Sequence, residues 1–486
     1  MAYIYISSMS FASVIVSALL ALAYVFLHRK SWRRSRSLPY PPGPKVTSMP
    51  ADDAWVEYRK WGREYGELVY IEDRNILILN DSRVAIDLLE KRARIYSDRR
   101  MTPIMKLCGA EYNMGFTPYS DNWRRKRKLF QQNFRQSAVN RFHPDQYNKV
   151  NEFLRHLITT PDKFMQHTTA LSQRIMFSAL WGLDVKPEDP LAQNAVKGVS
   201  TMGQAFIPGA FPAIEQFPWL RFMPTWFPGC GFARVAEQCI RAVKEGNTIP
   251  FDMAMDNLKT GKGTSLIAEL ASKCEGDSTE IEAIKAMATT SYLGNANCLL
   301  PSDQKKINPS RYIAAADTTL SSISSFTLSM VLNPDVQAKG QEEIDRVVGT
   351  DRLPTLKTAS LCHTSKQFTV KLCDCILRFL SDLSIVRLKM ISILVIIFRK
   401  YVLQGCSVIP NIWVCVGRYM ADNTVWLTIA SVLATLNLHK LKDKQGKDIS
   451  ISEDYTSGFF RHPKPFQCSI TPRTPYAEKL IIATAS

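Results

Sequence analysis

From Ala51 to about Val348 the apolar residues recur at mainly helical spacing, and this long stretch constrains the fold more than any other feature of the chain. Only two short runs, Leu68 to Ile71 and Ile76 to Leu79, are β-prone, and their separation suits a hairpin. No internal repeat or low-complexity tract interrupts the pattern, so solenoids and arrays are excluded. The expectation is a mainly α body with small β-sheets. At 486 residues and 46% apolar content the chain can bury one large core or two ordinary ones. After Thr355 the period is lost. Lys357 to Leu403 alternates apolar runs with basic residues, and a regular folded pattern returns from Gly417.

The N-terminal region reads differently. Ile4 to Leu27 is nearly free of charge and long enough to cross the roughly 30 Å hydrocarbon layer as a helix. Arg29, Lys30, Arg33, Arg34 and Arg36 follow this run and no small-residue cleavage site is evident, which favours an anchor over a signal peptide. The positive-inside rule then places the body in the cytosol. Leu38 to Pro44, LPYPPGP, can form neither helix nor central strand and reads as a stiff spacer. The expected organisation is an anchor at 1–27, a basic and Pro-rich hinge at 28–45 and one body at 46–486.

The formal charge of +17 suits an acidic protein, an anionic membrane or nucleic acid. The basic residues are dispersed and accompany no nucleic-acid motif, so a nucleic-acid partner is not expected. Eleven scattered cysteines give no disulfide framework, and no His/Cys group has the spacing of a zinc site. Phe206 to Gly231 mixes aromatics with Pro and Gly and reads as a long apolar loop that could line a channel or touch a membrane.

Three short segments carry possible chemistry. After Phe116-Thr117-Pro118-Tyr119, a helix is expected from about Ser120, with Trp123 and Arg127 four apart on one face. That face could grip an anion through indole N–H and guanidinium, or be part of a solvated basic helix. Ala314-Ala315-Ala316-Asp317-Thr318-Thr319 leads into an apolar helix through Val331; Asp317-Thr318 is either a helix cap or an acid–alcohol pair. Cys415-Val416-Gly417-Arg418 precedes an apolar helix from Thr424 to Leu438, and Cys415 is either a buried core thiol or a ligand.

In this order the segments resemble those of the cytochrome P450 family: the W-x-x-x-R of its C helix, the A-[AG]-x-[DE]-T-[TS] of its I helix and the C-x-G-[RK] of its haem loop. Asn333-Pro334 to Gly349, with Asp351 to Thr355, is similar to the family's J helix and the lead-in to its K helix. The resemblance implies haem b, with Cys415 as the axial thiolate, Trp123 and Arg127 on a propionate, and Asp317 and Thr318 relaying protons to dioxygen. It also implies electrons from NADPH passed by NADPH-cytochrome P450 reductase, to which the basic Arg124 to Lys128 could dock. The substrate would be a lipophilic small molecule, and the setting the endoplasmic reticulum membrane, single-pass, with a cytosolic catalytic domain. The chain looks closest to fungal members of secondary metabolism. Met101 to Met114, the aromatic loop and Gly458-Phe459-Phe460 would line the substrate pocket.

Three departures fall on the catalytic half, each readable as an error in assembly of the coding sequence. Residues 294–313 would split the I helix, whereas Ser291-Tyr292-Leu293 joined to Ala314 reads as continuous helix; codons with GT and AG ends are available for a retained intron. Residues 358–400 lack the family's E-x-x-R helix, which a shifted frame over Ser365 to Cys375 restores. Glu343 and Arg346 lie upstream of it and read as an ordinary surface pair. Val408, Asn411 and Trp413 stand where the haem loop should have Phe, Gly and Arg, and a deletion is expected near 413–415. The fold is therefore expected to be incomplete around the haem loop, to hold haem weakly or not at all, and to show no thiolate-type band under carbon monoxide. The competing reading is a catalytically dead membrane-anchored remnant or a mis-assembled gene.

Overall fold

The computed structural model describes residues 39–293, 317–361, 415–455 and 463–485, apart from short gaps at 47–48, 51–53, 97, 100, 187–188, 190, 192–200, 203–204, 206–210, 225 and 228. The anchor Ile4 to Leu27, the 294–313 and 358–400 irregularities beyond Leu361, and Gly458 to Phe460 lie outside the described residues. Among the described residues no helix is long and apolar enough to cross a membrane.

The chain divides into two compact units, residues 1–49 with 57–84, and residues 50–56 with 85–486. In the smaller unit β1 (Leu68–Ile71) and β2 (Ile76–Leu79) pair antiparallel, Leu68 against Leu79 and Ile71 against Ile76, as the sequence predicts. The turn between them carries Asn75 at φ 54°, a residue type that tolerates the left-handed region. The Pro-rich segment is more than a spacer: Tyr70 N–H donates to the Pro42 carbonyl at 3.1 Å, and Tyr40 stacks on Tyr70 with centroids 4.5 Å apart. A Cβ at Gly43 would sit 2.0 Å from the Tyr70 carbonyl oxygen, so this close approach requires glycine.

In the larger unit the elements that position the candidate site are α1 (Pro103–Leu107), α2 (Asp121–Phe134), α3 (His143–Thr159), α4 (Phe164–Trp181), α5 (Gly231–Lys259), α6 (Ser278–Leu293), α7 (Asp317–Leu332), α8 (Pro334–Val348) and α9 (Arg418–Thr435). α4 is the centre. Its residues from Thr168 to Phe177 are all buried, as a helix covered on every side must be, and α3, α6 and α7 pack on it. α9 lies against α3, α7 and α8 and is buried almost throughout its second half. Buried Gln146 on α3 donates to the Met420 carbonyl at 3.0 Å and to Thr424 Oγ1 at 2.7 Å on α9, tying the two helices by polar bonds inside an apolar seam.

The helix expected to run to Leu438 ends at Thr435 and passes directly into β3 (Leu436–His439). β3 pairs antiparallel with β4 (Ser469–Pro472), and Leu436 and Leu438 are buried while Asn437 is not. Period two wins over period 3.6 there because a partner strand is available. Arg473, just after β4, forks onto Asp345 of α8 at 2.8 and 2.7 Å and reaches the Leu433 and Ala434 carbonyls at the end of α9. Glu343 and Arg346 form the loose surface pair expected of them, 4.0 Å apart.

α5 contains Pro250, which supplies no N–H to the helical ladder. α6 ends at Leu293 and α7 begins at Asp317; both lie on α4. Among the described residues this organisation is mainly helical with two small antiparallel sheets.

Candidate functional site

α2 forms where the sequence places it. The Ser120 side chain accepts from Trp123 N–H at 3.2 Å as N-cap, and Asp121 lies in the first turn, where the helix dipole favours an acid. Trp123, Lys126, Arg127, Phe130 and Phe134 make its buried face, while Arg124, Arg125 and Lys128 are exposed. The helix is thus not a uniformly solvated basic one. Lys126 donates to the Glu111 carbonyl at 2.9 Å and clamps the preceding turn, and burial lowers its pKa.

Arg127 is 9% exposed. Burial draws its guanidinium down to about 10, against the attraction of Cys415. It lies over the Trp123 ring, 5.8 Å from the centroid. The Trp123 indole N–H donates to the Met114 carbonyl at 3.1 Å, so a propionate role would need that bond exchanged.

Cys415 precedes the first turn of α9. As a residue it is exposed; desolvation raises the thiol, while the Gly417 backbone N–H and the Arg127 charge pull the other way. Arg418 stacks on Tyr419 at 4.5 Å and donates to its hydroxyl at 2.7 Å. Arg127 and Cys415, far apart in sequence, line one open cleft of about 820 Å³ with Lys128, Arg135, Arg418 and Tyr419. Arg418 was not among the residues the sequence marked as binding; its place in the C-x-G-[RK] segment was the signal.

Asp317 and Thr318 form the first turn of α7, but their side chains lie outside what is described. The Met101 to Met114 segment is held against α6: Thr290 Oγ1 accepts from Met114 N–H and donates to the Tyr112 carbonyl, both at 3.4 Å. In the aromatic loop, Phe211 and Phe227 pack on the core, whereas Phe217, Trp219, Phe222 and Trp226 are exposed, Trp226 by 80%.

The donor set of the cleft fits one side of a haem. A thiol in one cleft with the Arg127 and Arg418 guanidiniums matches a thiolate-ligated iron and anionic propionates. Among the described residues the lining includes none from α6 or α7, so the opposite apolar wall is not part of this cleft.

The cytochrome P450 profile matches residues 44–364. A cytochrome P450 monooxygenase of Coprinopsis cinerea, COX1, is 32% identical, covering 90% of this chain and 92% of its own. The tryptamine 4-monooxygenase of Psilocybe cyanescens is 27% identical over 95% of this chain and 98% of its own, and cytochrome P450 monooxygenase 208 of Postia placenta 28% over 97% and 96%. The chain belongs to the cytochrome P450 family and is a monooxygenase of fungal type. The family brings a haem, a redox partner that donates electrons and a lipophilic substrate. Near-complete coverage of relatives named as monooxygenases favours the enzyme over the remnant.

Proposed function

We propose that this enzyme uses haem b, with electrons drawn from NADPH through NADPH-cytochrome P450 reductase, to insert one oxygen atom into a lipophilic small molecule of secondary metabolism. The meeting of Arg127 and Cys415 in one cleft carries this reading. When bound, the haem supplies the activation of dioxygen. Cys415 would hold its iron through sulfur, and the Gly417 N–H would set the sulfur's electron donation. Arg127 and Arg418 would offset the propionate charge, joined by Trp123 once its N–H leaves Met114. Asp317 would hold a proton on its carboxyl and pass it through Thr318 Oγ1. The exposed Arg124, Arg125 and Lys128 offer an acidic flavoprotein a complementary surface, which mainly sets encounter rate.

The same reading includes attachment to the endoplasmic reticulum membrane by residues 1–27, with 28–45 as hinge and 46–486 as cytosolic catalytic domain. The exposed Trp219, Phe222 and Trp226 support a membrane-facing side, because such rings favour the water–lipid boundary. It also keeps 294–313 as an insertion, 358–400 as out of frame and a deletion near 413–415; the profile match stopping at 364 supports the second.

The test is the carbon monoxide difference spectrum of the purified 486-residue chain. A thiolate-type band at sub-stoichiometric haem, lost in Cys415→Ala, is expected. Haem bound without that band, or a band surviving the substitution, overturns the role of Cys415.

A further inference from the structure

The cleft that holds Arg127 and Cys415 has two walls, built by distant parts of the chain. One is α2 with the segment after it, from which Arg135 and Asn140 line the cleft; the other is Cys415 to Tyr419, the lead-in and first turn of α9. The first wall is anchored. Val139–Phe142 forms a turn of 3-10 helix, Phe142 stacks on Phe134 with centroids 5.5 Å apart, and Arg141 reaches Glu269 at 2.7 Å. The second wall is placed by α9, so whatever seats the first turns of α9 also sets the gap between the walls.

His143 follows that 3-10 turn as the first residue of α3. The Asn423 side-chain N–H donates to His143 Nε2 at 3.2 Å. An amide nitrogen can only donate, so the imidazole accepts and is neutral, with its proton on Nδ1. Burial lowers the pKa of His143 and favours that form. The Tyr147 ring stands edge-on to the imidazole, 6.3 Å between centroids, and its hydroxyl accepts from Leu356 N–H at 2.7 Å, so the ring beside His143 is itself fixed. His143 lies three residues beyond Asn140, and Asn423 four beyond Tyr419. Their bond therefore joins the two walls just behind the cleft. Gln146, three residues further along α3, holds the Met420 carbonyl and Thr424 Oγ1, and the two attachments together resist rotation of α9 as well as slip.

We infer that His143 is a positioning residue for the cleft: its bond to Asn423 seats the second wall against the first and so sets the register between Cys415 and Arg127. That this register matters for haem rests on the function proposed above; the clamp itself does not. Without the acceptor, the half-buried Asn423 N–H has to find water, and the net worth of such a bond corresponds to a population shift of about two- to tenfold.

The experiment measures the gap chemically in the full chain. Cys415 and Lys128 line the cleft from opposite walls and both are exposed, so a graded series of maleimide–succinimide cross-linkers can join them, read as linked peptides by mass spectrometry. In the parent the Cys415–Lys128 product should be confined to a narrow range of spacer lengths. His143→Leu and Asn423→Leu should each spread the product to longer spacers and lower the best yield about threefold. Combined, they should do no more than either alone, because they remove the same bond. His143→Gln, whose side-chain carbonyl can accept in place of Nε2, should restore the parent pattern. Hydrogen exchange should quicken about two- to tenfold in 416–425 and stay unchanged in α4, which separates loss of a clamp from general unfolding. An unchanged cross-link pattern in His143→Leu, or a changed pattern that persists in His143→Gln, overturns the inference. Should the expected pattern appear in a chain that shows no Cys415-dependent band under carbon monoxide, the clamp is upheld and the haem reading of the cleft is lost.

Discussion

Gly182 ends α4 at φ +64°, with the Thr264 carbonyl oxygen 3.2 Å and the Ser265 Cβ 3.3 Å from where a Cβ would be. Two separate demands meet at this residue, backbone handedness and room. Gly182→Ala should therefore cost about 1–3 kcal/mol, the left-handed penalty plus displacement of the 264–265 backbone. A urea midpoint lowered at unchanged m-value checks it; an unchanged midpoint would show that the neighbouring turn yields freely. At this scale the sequence was legible wherever the partner is one or two turns away. Trp123 and Arg127 share a face because four residues make about one turn. The bond from Trp123 to the Met114 carbonyl was not legible, because it depends on how a preceding loop folds back. Nor did spacing reveal that Arg127 and Cys415 line one cleft; only the order of family motifs pointed there.

Between elements, the link from α3 to α4 is electrostatic as well as apolar. Arg174 on α4 holds Glu152 on α3 at 2.6 Å and Asp184 at 2.8 Å, and Lys149 reaches Asp184 at 2.7 Å. Desolvation pushes the Asp184 carboxyl up, but the hydrogen bonds from Lys149 and Arg174 outweigh it and leave its pKa below the ordinary value. A carboxyl depressed on folding stabilises above its unfolded pKa, and that stability is lost as pH falls through the folded pKa. Asp184→Asn should therefore lower the urea midpoint at neutral pH, and the gap from the parent should close in acid below the ordinary carboxylate range. The effect is modest because the side chain is 65% exposed and screened. A gap that persists undiminished in acid would assign the loss to packing instead. The hairpin of β1 and β2 was legible in full, since two β-prone runs with a tight turn have few other options. The switch from α9 to β3 was not: Leu436 to Leu438 is apolar enough to continue the helix, and its partner β4 lies far along the chain.

For the whole molecule, the membrane attachment proposed above would rest on two features that can be separated. Because Pro42 and Gly43 are seated on β1, a soluble form should be cut before Pro39 and not after Pro44. Deleting residues 1–38 should shift most of the protein from the membrane pellet to the supernatant with the fold intact, and Trp219→Ser, Phe222→Ser and Trp226→Ser together should release the remainder. Complete release by the deletion alone would remove the aromatic loop from the attachment, and full pelleting of the combined variant would sink both contributions. The helical class and the order of motifs were legible across the molecule because periodicity and sequence order need no coordinates; the packing of α1 on α5 was not, because contact between distant segments does. The Arg473 fork acts as a latch: one side chain just after β4 holds α8 through Asp345 and the end of α9 through the Leu433 and Ala434 carbonyls, so the C-terminal strand cannot leave without loosening both helices.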